Sequence, residues 1–273
     1  MIQVGNTLTT FEKYALVALL TEFKEVFAWS YEDMPVIDID IVHHCIPTDQ
    51  TMKPIKKKLR RIKAEWTLKI KEEAEKQYNA RFLRVVNYPE WLANVVLVPK
   101  KDGKVKMCVD FRDLNKASPK DDFPLPHIDI FVDNATGHAL LSFMDGFSGY
   151  NLIKMAPEDM EKTSFITLWG AYCYKVMPFG LKNAGASYKC IATTLLHDLI
   201  HKEVEVFVDD MILKSKDREG HMPALRKFFE RIWFYKLRLK PPRTKKEIQG
   251  FLGRIQYISR FIAQLTMTCK PIF

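Results

Sequence analysis

No run of apolar residues in this 273-residue chain approaches the roughly 20 needed to span a bilayer, and no basic start leads into an uninterrupted apolar stretch of the kind a secretory leader requires. The expectation is a soluble, unsecreted protein, intracellular in the cytoplasm or nucleus, with no membrane partner. Cysteine is scarce. Cys45, Cys108, Cys173, Cys190 and Cys269 stand far apart with no CxxC pair and no His/Cys cluster, which argues against both a disulfide framework and a zinc site. Internal repeats and low-complexity tracts are lacking too. Acidic residues are in deficit, 33 against 42 Lys and Arg, giving a formal charge of +9 and a pI near 9.2. That balance favours a polyanionic partner, nucleic acid first. What remains, 47% hydrophobic and 12% aromatic, is the composition of a globular protein able to bury a large core as one large domain or two moderate ones.

The pattern along the chain mixes helices and strands. Thr9 followed by Glu12 is a capping-box signature, and Leu16, Leu19, Leu20, Phe23 and Phe27 share one face of the helix it opens, which is expected to end near Ser30. An irregular stretch with Pro35 and Pro47 leads to KPIKKKLRRIK, residues 53–63. Its Lys56, Lys57, Lys58, Arg60 and Arg61 form either a solvated basic face or an arm that contacts phosphates. An amphipathic helix follows from Ala64 to Tyr78. Two apolar runs, Asn94 to Val98 and Val105 to Val109, flank Asp102-Gly103, a strong hairpin signal. That hairpin is either a lysine-decorated surface feature, or one that aims Lys100, Lys101 and Lys106 at a phosphate chain while Arg112 braces the loop beyond.

Three acids stand out. Leu140 to Met144 reads as a buried strand with Asp145 at its end, before Gly146 and the aromatic segment Phe147 to Tyr150. In VEVFVDDMILK, Asp209 and Asp210 sit inside an apolar alternating run, where two adjacent carboxylates repel unless water or a cation compensates them. The plainest reading of that pair alone is an Asp-Asp turn. Between these acids, Tyr188, Ile191, Ala192, Leu195 and Leu199 make a helical stripe for packing under a sheet. Asp145 and Asp209 are 64 positions apart, so only a tertiary fold brings them together, and a sheet that does so clusters three carboxylates suited to divalent cations.

The succession VPKKDGKVKMCVDFRDLNKAS, FPLPHID, LSFMDGFSGYNLIKM, KTSFITLWGAYCYKVMPFGLKNAGASY, VEVFVDDMILKS and TKKEIQGFLGRIQYISRFI resembles, in order and spacing, the reverse transcriptase of gypsy-type LTR retrotransposons, from about Leu8 onward. The resemblance implies an α+β right-hand polymerase with fingers and palm, an antiparallel palm sheet flanked by helices, and a thumb largely missing. It divides the chain into an N-terminal helix and linker (1–52), part of the fingers (53–135), the palm with some fingers segments (136–240) and a remnant helix (241–273). It implies RNA-directed DNA synthesis, with Asp145, Asp209 and Asp210 binding two Mg²⁺ ions (Mn²⁺ as an alternative) about 3.5–4 Å apart. Asp145 and Asp209 are the main ligands in this reading, and Asp210 either binds one ion or shapes the field. Lys100 and Lys106 resemble the residues that hold the triphosphate of a deoxynucleotide, Tyr150 the residue beneath its sugar, and Phe179 a contact to its base and sugar. The partners implied are an RNA or DNA template with its primer, and deoxynucleoside triphosphates.

Three departures qualify the resemblance. Phe207 stands where the family has Tyr, and Lys106 where it commonly has Arg, whose bidentate grip an ammonium cannot repeat. After FYKLRLK the chain passes directly to PPRTKKEIQGFLG, without the block that in the family grips the primer terminus and starts the thumb. Continuation into a ribonuclease H domain is absent as well, so the chain reads as a fragment of a Pol polyprotein. Two readings stay open: a polymerase module, or a non-catalytic relic that at most binds nucleic acid. An RNA-copying RNA polymerase is disfavoured by Tyr150, which would exclude a 2′-hydroxyl.

Overall fold

The computed structural model describes residues 9–34, 37–39, 41–99, 105–123, 128–135, 137–146, 149–207, 210–241 and 270–271. In chain order the elements are α1 (Thr10–Glu22), β1 (His43–His44), α2 (Ala64–Asn79), β2 (Leu83–Val85), β3 (Ala93–Pro99), β4 (Val105–Val109), α3 (Arg112–Ala117), α4 (Ile128–Ala135) and β5 (Leu140–Gly146). They continue with β6 (Lys154–Met155), β7 (Phe165–Thr167), β8 (Gly170–Tyr174), α5 (Ala184–Leu195), β9 (Val204–Phe207), β10 (Asp210–Ser215), α6 (His221–Phe234), β11 (Leu239–Lys240) and β12 (Lys270–Pro271). The chain divides into two compact units, each assembled from separated segments. One takes Met1–Asp33, Pro124–Gly149 and Lys189–Phe273; the other takes Met34–Phe123 and Tyr150–Tyr188.

The first unit is built on a sheet of order β11-β5-β10-β9, all antiparallel, with β12 joining β5 in parallel. Apolar residues on both faces of β5 and β10 explain why the sheet is covered twice. The face with Leu141 and Ile212 receives Ala135 of α4, with Phe143 and Phe207 packed at the margin. On the same face Lys214 and Glu205 are both buried, and their charges are satisfied together: Lys214 Nζ lies 2.8 Å from Glu205 Oε1 and from the Asn134 carbonyl, and His201 Nδ1 lies 3.0 Å from Glu205 Oε2. The opposite face carries Ser142 and Ser215 and receives α6. There the buried His221 imidazole bridges the two hydroxyls, with Nε2 2.9 Å from Ser142 and Nδ1 2.8 Å from Ser215. Phe228 and Phe229 of α6 are fully buried, and Phe229 meets Phe23 and Phe27 at centroid distances of 5.8 and 5.9 Å.

Helix α1 begins as expected, with the Thr9 and Glu12 capping box formed, but ends at Glu22 rather than near Ser30. A 3-10 turn at Lys24–Val26 replaces the last expected turns. The reason is pairing: Phe27 forms a parallel bridge with Leu239, and the Ala28 N–H donates to the Leu239 carbonyl at 3.0 Å, which requires extended backbone where a helix would continue.

The second unit holds a sheet of order β2-β8-β7-β3-β4, mixed because β3 runs parallel to β7, together with a two-stranded parallel pair of β1 and β6. The hairpin expected from the two apolar runs is formed by β3 and β4, with Val95 opposite Val109 and Val98 opposite Lys106; Lys101, Asp102 and Gly103 lie outside the described residues. Helix α2 buries Ile70 and Ala74, as its pattern predicts. The core is aromatic, with Phe165 fully buried between Tyr172 and Tyr174 at 6.0 and 5.5 Å.

Candidate active site

The strand register of the first unit sets candidate site residues in one row. Asp145 of β5 is the direct antiparallel partner of Asp210 at the start of β10, and Asp210 is in turn the partner of Phe207 at the end of β9. Direct partners share a face, with Cβ atoms generally about 4.5–5.5 Å apart, and like charges placed so are destabilising. Of the three acids expected from sequence to converge, Asp145 and Asp210 are therefore partners in register. Asp209 lies outside the described residues, as does the side chain of Asp145, and among the described residues no three metal-ligating side chains form a group. The donor chemistry suits a hard divalent ion: aspartates supply the oxygen ligands it prefers, and like charges at facing positions are relieved by a cation. Phe207, which has no hydroxyl to offer, joins the apolar margin of the α4 contact.

On its other edge, β5 pairs with β11, and Lys240 is the direct partner of Asp145. The sequence carried a signal for this strand. Leu237 and Leu239 are buried while Arg238 and Lys240 are half-buried, the period-two alternation of a strand.

In the second unit, three of the four residues expected around a nucleotide come together. Tyr150 meets Phe179 edge-on at 4.7 Å between ring centroids, and Lys106 places its ammonium 3.9 Å from the centre of the Phe179 ring. Such a cation held against an aromatic face is worth about 0.5–1 kcal/mol where exposed. Tyr188 completes the aromatic group, 5.7 Å from Tyr150. Gly185 lies beside the phenol, and a Cβ there would make an ordinary contact of 3.8 Å with the Tyr150 hydroxyl. Lys100 lies outside the described residues.

The loop that presents Phe179 is held from α3. Asn115 donates to the Gly180 carbonyl at 2.7 Å and accepts from the Lys182 N–H at 2.9 Å, and Lys182 Nζ reaches the Ser118 carbonyl at 2.6 Å. Gly180 has φ +98°, a conformation that a side chain resists. The roles of Asn115 and Lys182 were not legible beforehand, because an Asn bridging two loops 65 residues apart leaves no local pattern.

The basic residues distribute differently from one another. Arg112 is engaged by Asp110, with Nε and Nη2 at 2.7 and 2.6 Å, and this pairing holds the Asp110 carboxyl below its usual range. Lys57 pairs with Asp113 at 2.7 Å. The segment bearing Lys56, Lys57, Lys58, Arg60 and Arg61 is exposed and runs beside β3: the Lys57 N–H donates to the Leu92 carbonyl, and the Arg60 N–H to Asn94 Oδ1. Arg60, Arg61, Ile70, Asn94, Thr167 and Trp169 are among the residues lining a cleft of about 320 Å³ in this unit.

Comparison with known proteins places this geometry. Residues 98–254, more than half of the chain, match the family described as reverse transcriptase (RNA-dependent DNA polymerase). The Transposon Tf2-3 polyprotein of Schizosaccharomyces pombe is 25% identical over 215 residues, covering 65% of this chain and 16% of that protein. The Retrovirus-related Pol polyprotein from transposon opus of Drosophila melanogaster is 27% identical over 223 residues, covering 68% of this chain and 22% of that one. The chain thus spans less than a quarter of the length of these curated relatives. Among solved structures, the native prototype foamy virus protease-reverse transcriptase superposes with a TM-score of 0.77 at 20% identity, over 96% of this chain and 39% of that one. The foamy viral enzyme in complex with RNA/DNA hybrid gives 0.77 at 19% identity, over 86% and 31%. The fold is that of the right-hand reverse transcriptases, and with the family match across its central motifs this chain belongs to the reverse transcriptase family.

Proposed function

We propose that the chain is a template-directed DNA polymerase module in which Asp145, Asp209 and Asp210 hold divalent metal, Mg²⁺ by preference. The observation that carries the reading is the register pair of Asp145 and Asp210, two acids on one rung at the ends of apolar strands. A bound divalent ion would neutralise developing charge on the phosphoryl group and lower the barrier by several kcal/mol. The reaction forms a bond from the primer 3′-oxygen to the α-phosphorus of a deoxynucleotide and breaks the bond to pyrophosphate, with the hydroxyl proton passing to solvent. The row of acids would fix the ion, and the opposed carboxylates supply the hard oxygens it prefers.

The group of Tyr150, Phe179 and Lys106 serves the nucleotide in this reading. Tyr150 would pack under the sugar, where a ring excludes a 2′-hydroxyl, Phe179 would meet base and sugar, and Lys106, with Lys100, would attract the triphosphate. Lys56, Lys58, Arg60 and Arg61, exposed along one stretch, would bear on the template. Support also comes from the foamy viral relatives, whose solved complexes contain RNA/DNA hybrid or double-stranded DNA.

The test is extension of a labelled primer on RNA and on DNA templates with Mg²⁺. The expected result is Mg²⁺-dependent addition of a few deoxynucleotides per encounter, with ribonucleotides refused. The resemblance implies that the primer-gripping block is missing after Lys240, and on that reading inserting a relative's block between Lys240 and Pro241 is expected to lengthen the products sharply. Nucleic-acid binding with no extension under any metal would defeat the catalytic reading and leave a binding relic.

Binding itself has a signature. Affinity for single strands should fall with salt, with a log–log slope of about −0.7 for each phosphate neutralised. Replacing Arg60 and Arg61 together with Gln should make that slope shallower by about 1.4. Fluorescence anisotropy at several salt concentrations reads this directly, and a slope unchanged in the double variant would remove the segment from the interface.

A further inference from the structure

We propose that Lys240 is the built-in counter-charge of the carboxylate pair and sets how tightly the site takes a divalent ion. The proposal rests on the reading of Asp145 and Asp210 as metal ligands. Four strands place their residues in one cross-sheet row, in the order Lys240, Asp145, Asp210, Phe207. Neighbouring strands are about 4.8 Å apart, so a cation on β11 lies one strand from Asp145 and two from Asp210.

The position of Lys240 is fixed by its surroundings. Leu237 and Leu239 are buried, and β11 is held on one side by β5 and on the other by the Ala28 N–H, which donates to Leu239 at 3.0 Å. Lys240 itself is half-buried, so water screens it only in part. Two charges of like sign on facing positions destabilise a sheet, and an opposite charge beside them offsets that cost. Lysine suits this place because its ammonium is a compact point charge with three donors and no acceptor, able to serve carboxylates without becoming a metal ligand.

The same charge opposes an incoming dication. A metal binding the acids must enter the field of an ammonium about one strand away, so its affinity is lower than the acids alone would give. Lys240 therefore keeps the pair tolerable without metal and makes metal uptake reversible.

The experiment measures Mn²⁺ binding to the whole chain by the paramagnetic resonance of the free ion, with circular dichroism confirming that each variant is folded. Lys240→Gln keeps length and polarity while removing the charge, and it should tighten Mn²⁺ binding about tenfold. Lys240→Arg keeps the charge and should stay within about twofold of the parent. Asp210→Asn should weaken binding at least tenfold. If Lys240→Gln binds as the parent does, or more weakly, while Asp210→Asn has lost affinity, the counter-charge role is wrong and the carboxylate site stands. The role is equally wrong if Lys240→Arg tightens binding as much as Lys240→Gln. If Asp210→Asn binds Mn²⁺ like the parent, the carboxylate reading itself fails, and the role of Lys240 fails with it.

Discussion

Primer extension should fall by at least about a thousandfold in Asp145→Asn, and comparably in Asp209→Asn, with each protein still folded. Asparagine matches aspartate in size and suits the same backbone, so the variant deletes charge and little else. A metal-ion clamp contributes several kcal/mol to transition-state stabilisation, and each 1.36 kcal/mol is tenfold in rate. Losing about 4 kcal/mol gives the thousandfold. Asp210→Asn serves as the graded case, since Asp210 begins β10 and keeps its rung opposite Asp145 whether or not it binds an ion. Single-turnover extension with saturating primer-template separates a chemical defect from a binding defect. Extension by Asp145→Asn within tenfold of the parent would show that the opposed acids are not the metal site.

The second large effect concerns acid. Among the described residues each unit buries one neutral histidine: His221 between Ser142 and Ser215 in the first, and His44, 2.8 Å from the Ser187 hydroxyl, in the second. Burial pushes both well below the ordinary imidazole value, to about 4, and for His44 the carboxylates of Asp159 and Asp121 offset only part of that. With folded values below unfolded ones, the unfolded chain binds more protons between about pH 6.5 and 4, so stability rises with pH in that window. The stabilisation is complete above pH 6.5 and is lost as pH falls towards 4. That lowering of the imidazole values corresponds to roughly 3 kcal/mol for each histidine. Urea unfolding at pH 7.5 and 4.5 should show this loss, and His221→Gln should remove the share belonging to the unit built on β5. An unfolding midpoint that does not move between these pH values would mean that the imidazoles ionise freely in place.

Local chemistry made much of the fold legible. Thr9 and Glu12 announce α1, the runs around Asp102-Gly103 announce the β3–β4 hairpin, and the alternation from Val204 with the apolar run resuming at Met211 announces the strands β9 and β10 that flank the acid pair. The pairing of Asp145 with Asp210 agrees with the expectation that acids on apolar strands far apart in the chain meet on one sheet. The end of α1 was not legible: nothing in Lys24 to Ser30 forbids helix, and the interruption comes from Leu239, more than 200 residues away. Lys240 escaped notice for a related reason. The alternation from Leu237 to Lys240 offers a short strand, but its meaning arises only from the register that sets it beside Asp145.

The interleaving of the two units has a consequence for how the chain is made. Strand β5 lies inside the first sheet, yet β10 and β11, which cover its two edges, follow only after most of the second unit has been synthesised. Roughly ninety residues separate the end of β5 from β11, about 5–20 s at ordinary rates of translation. Until β10 arrives, Leu140, Leu141, Phe143 and Met144 form an apolar strand with neither edge paired, the arrangement most prone to capture by another chain. The β3–β4 hairpin of the second unit has no such wait, because its strands follow one another directly, whereas β2 and the other edge of β3 are closed only by β8 and β7. Nascent chains should therefore acquire protease resistance in the β3–β4 region first, and should need chaperone shelter for β5 until its partners arrive.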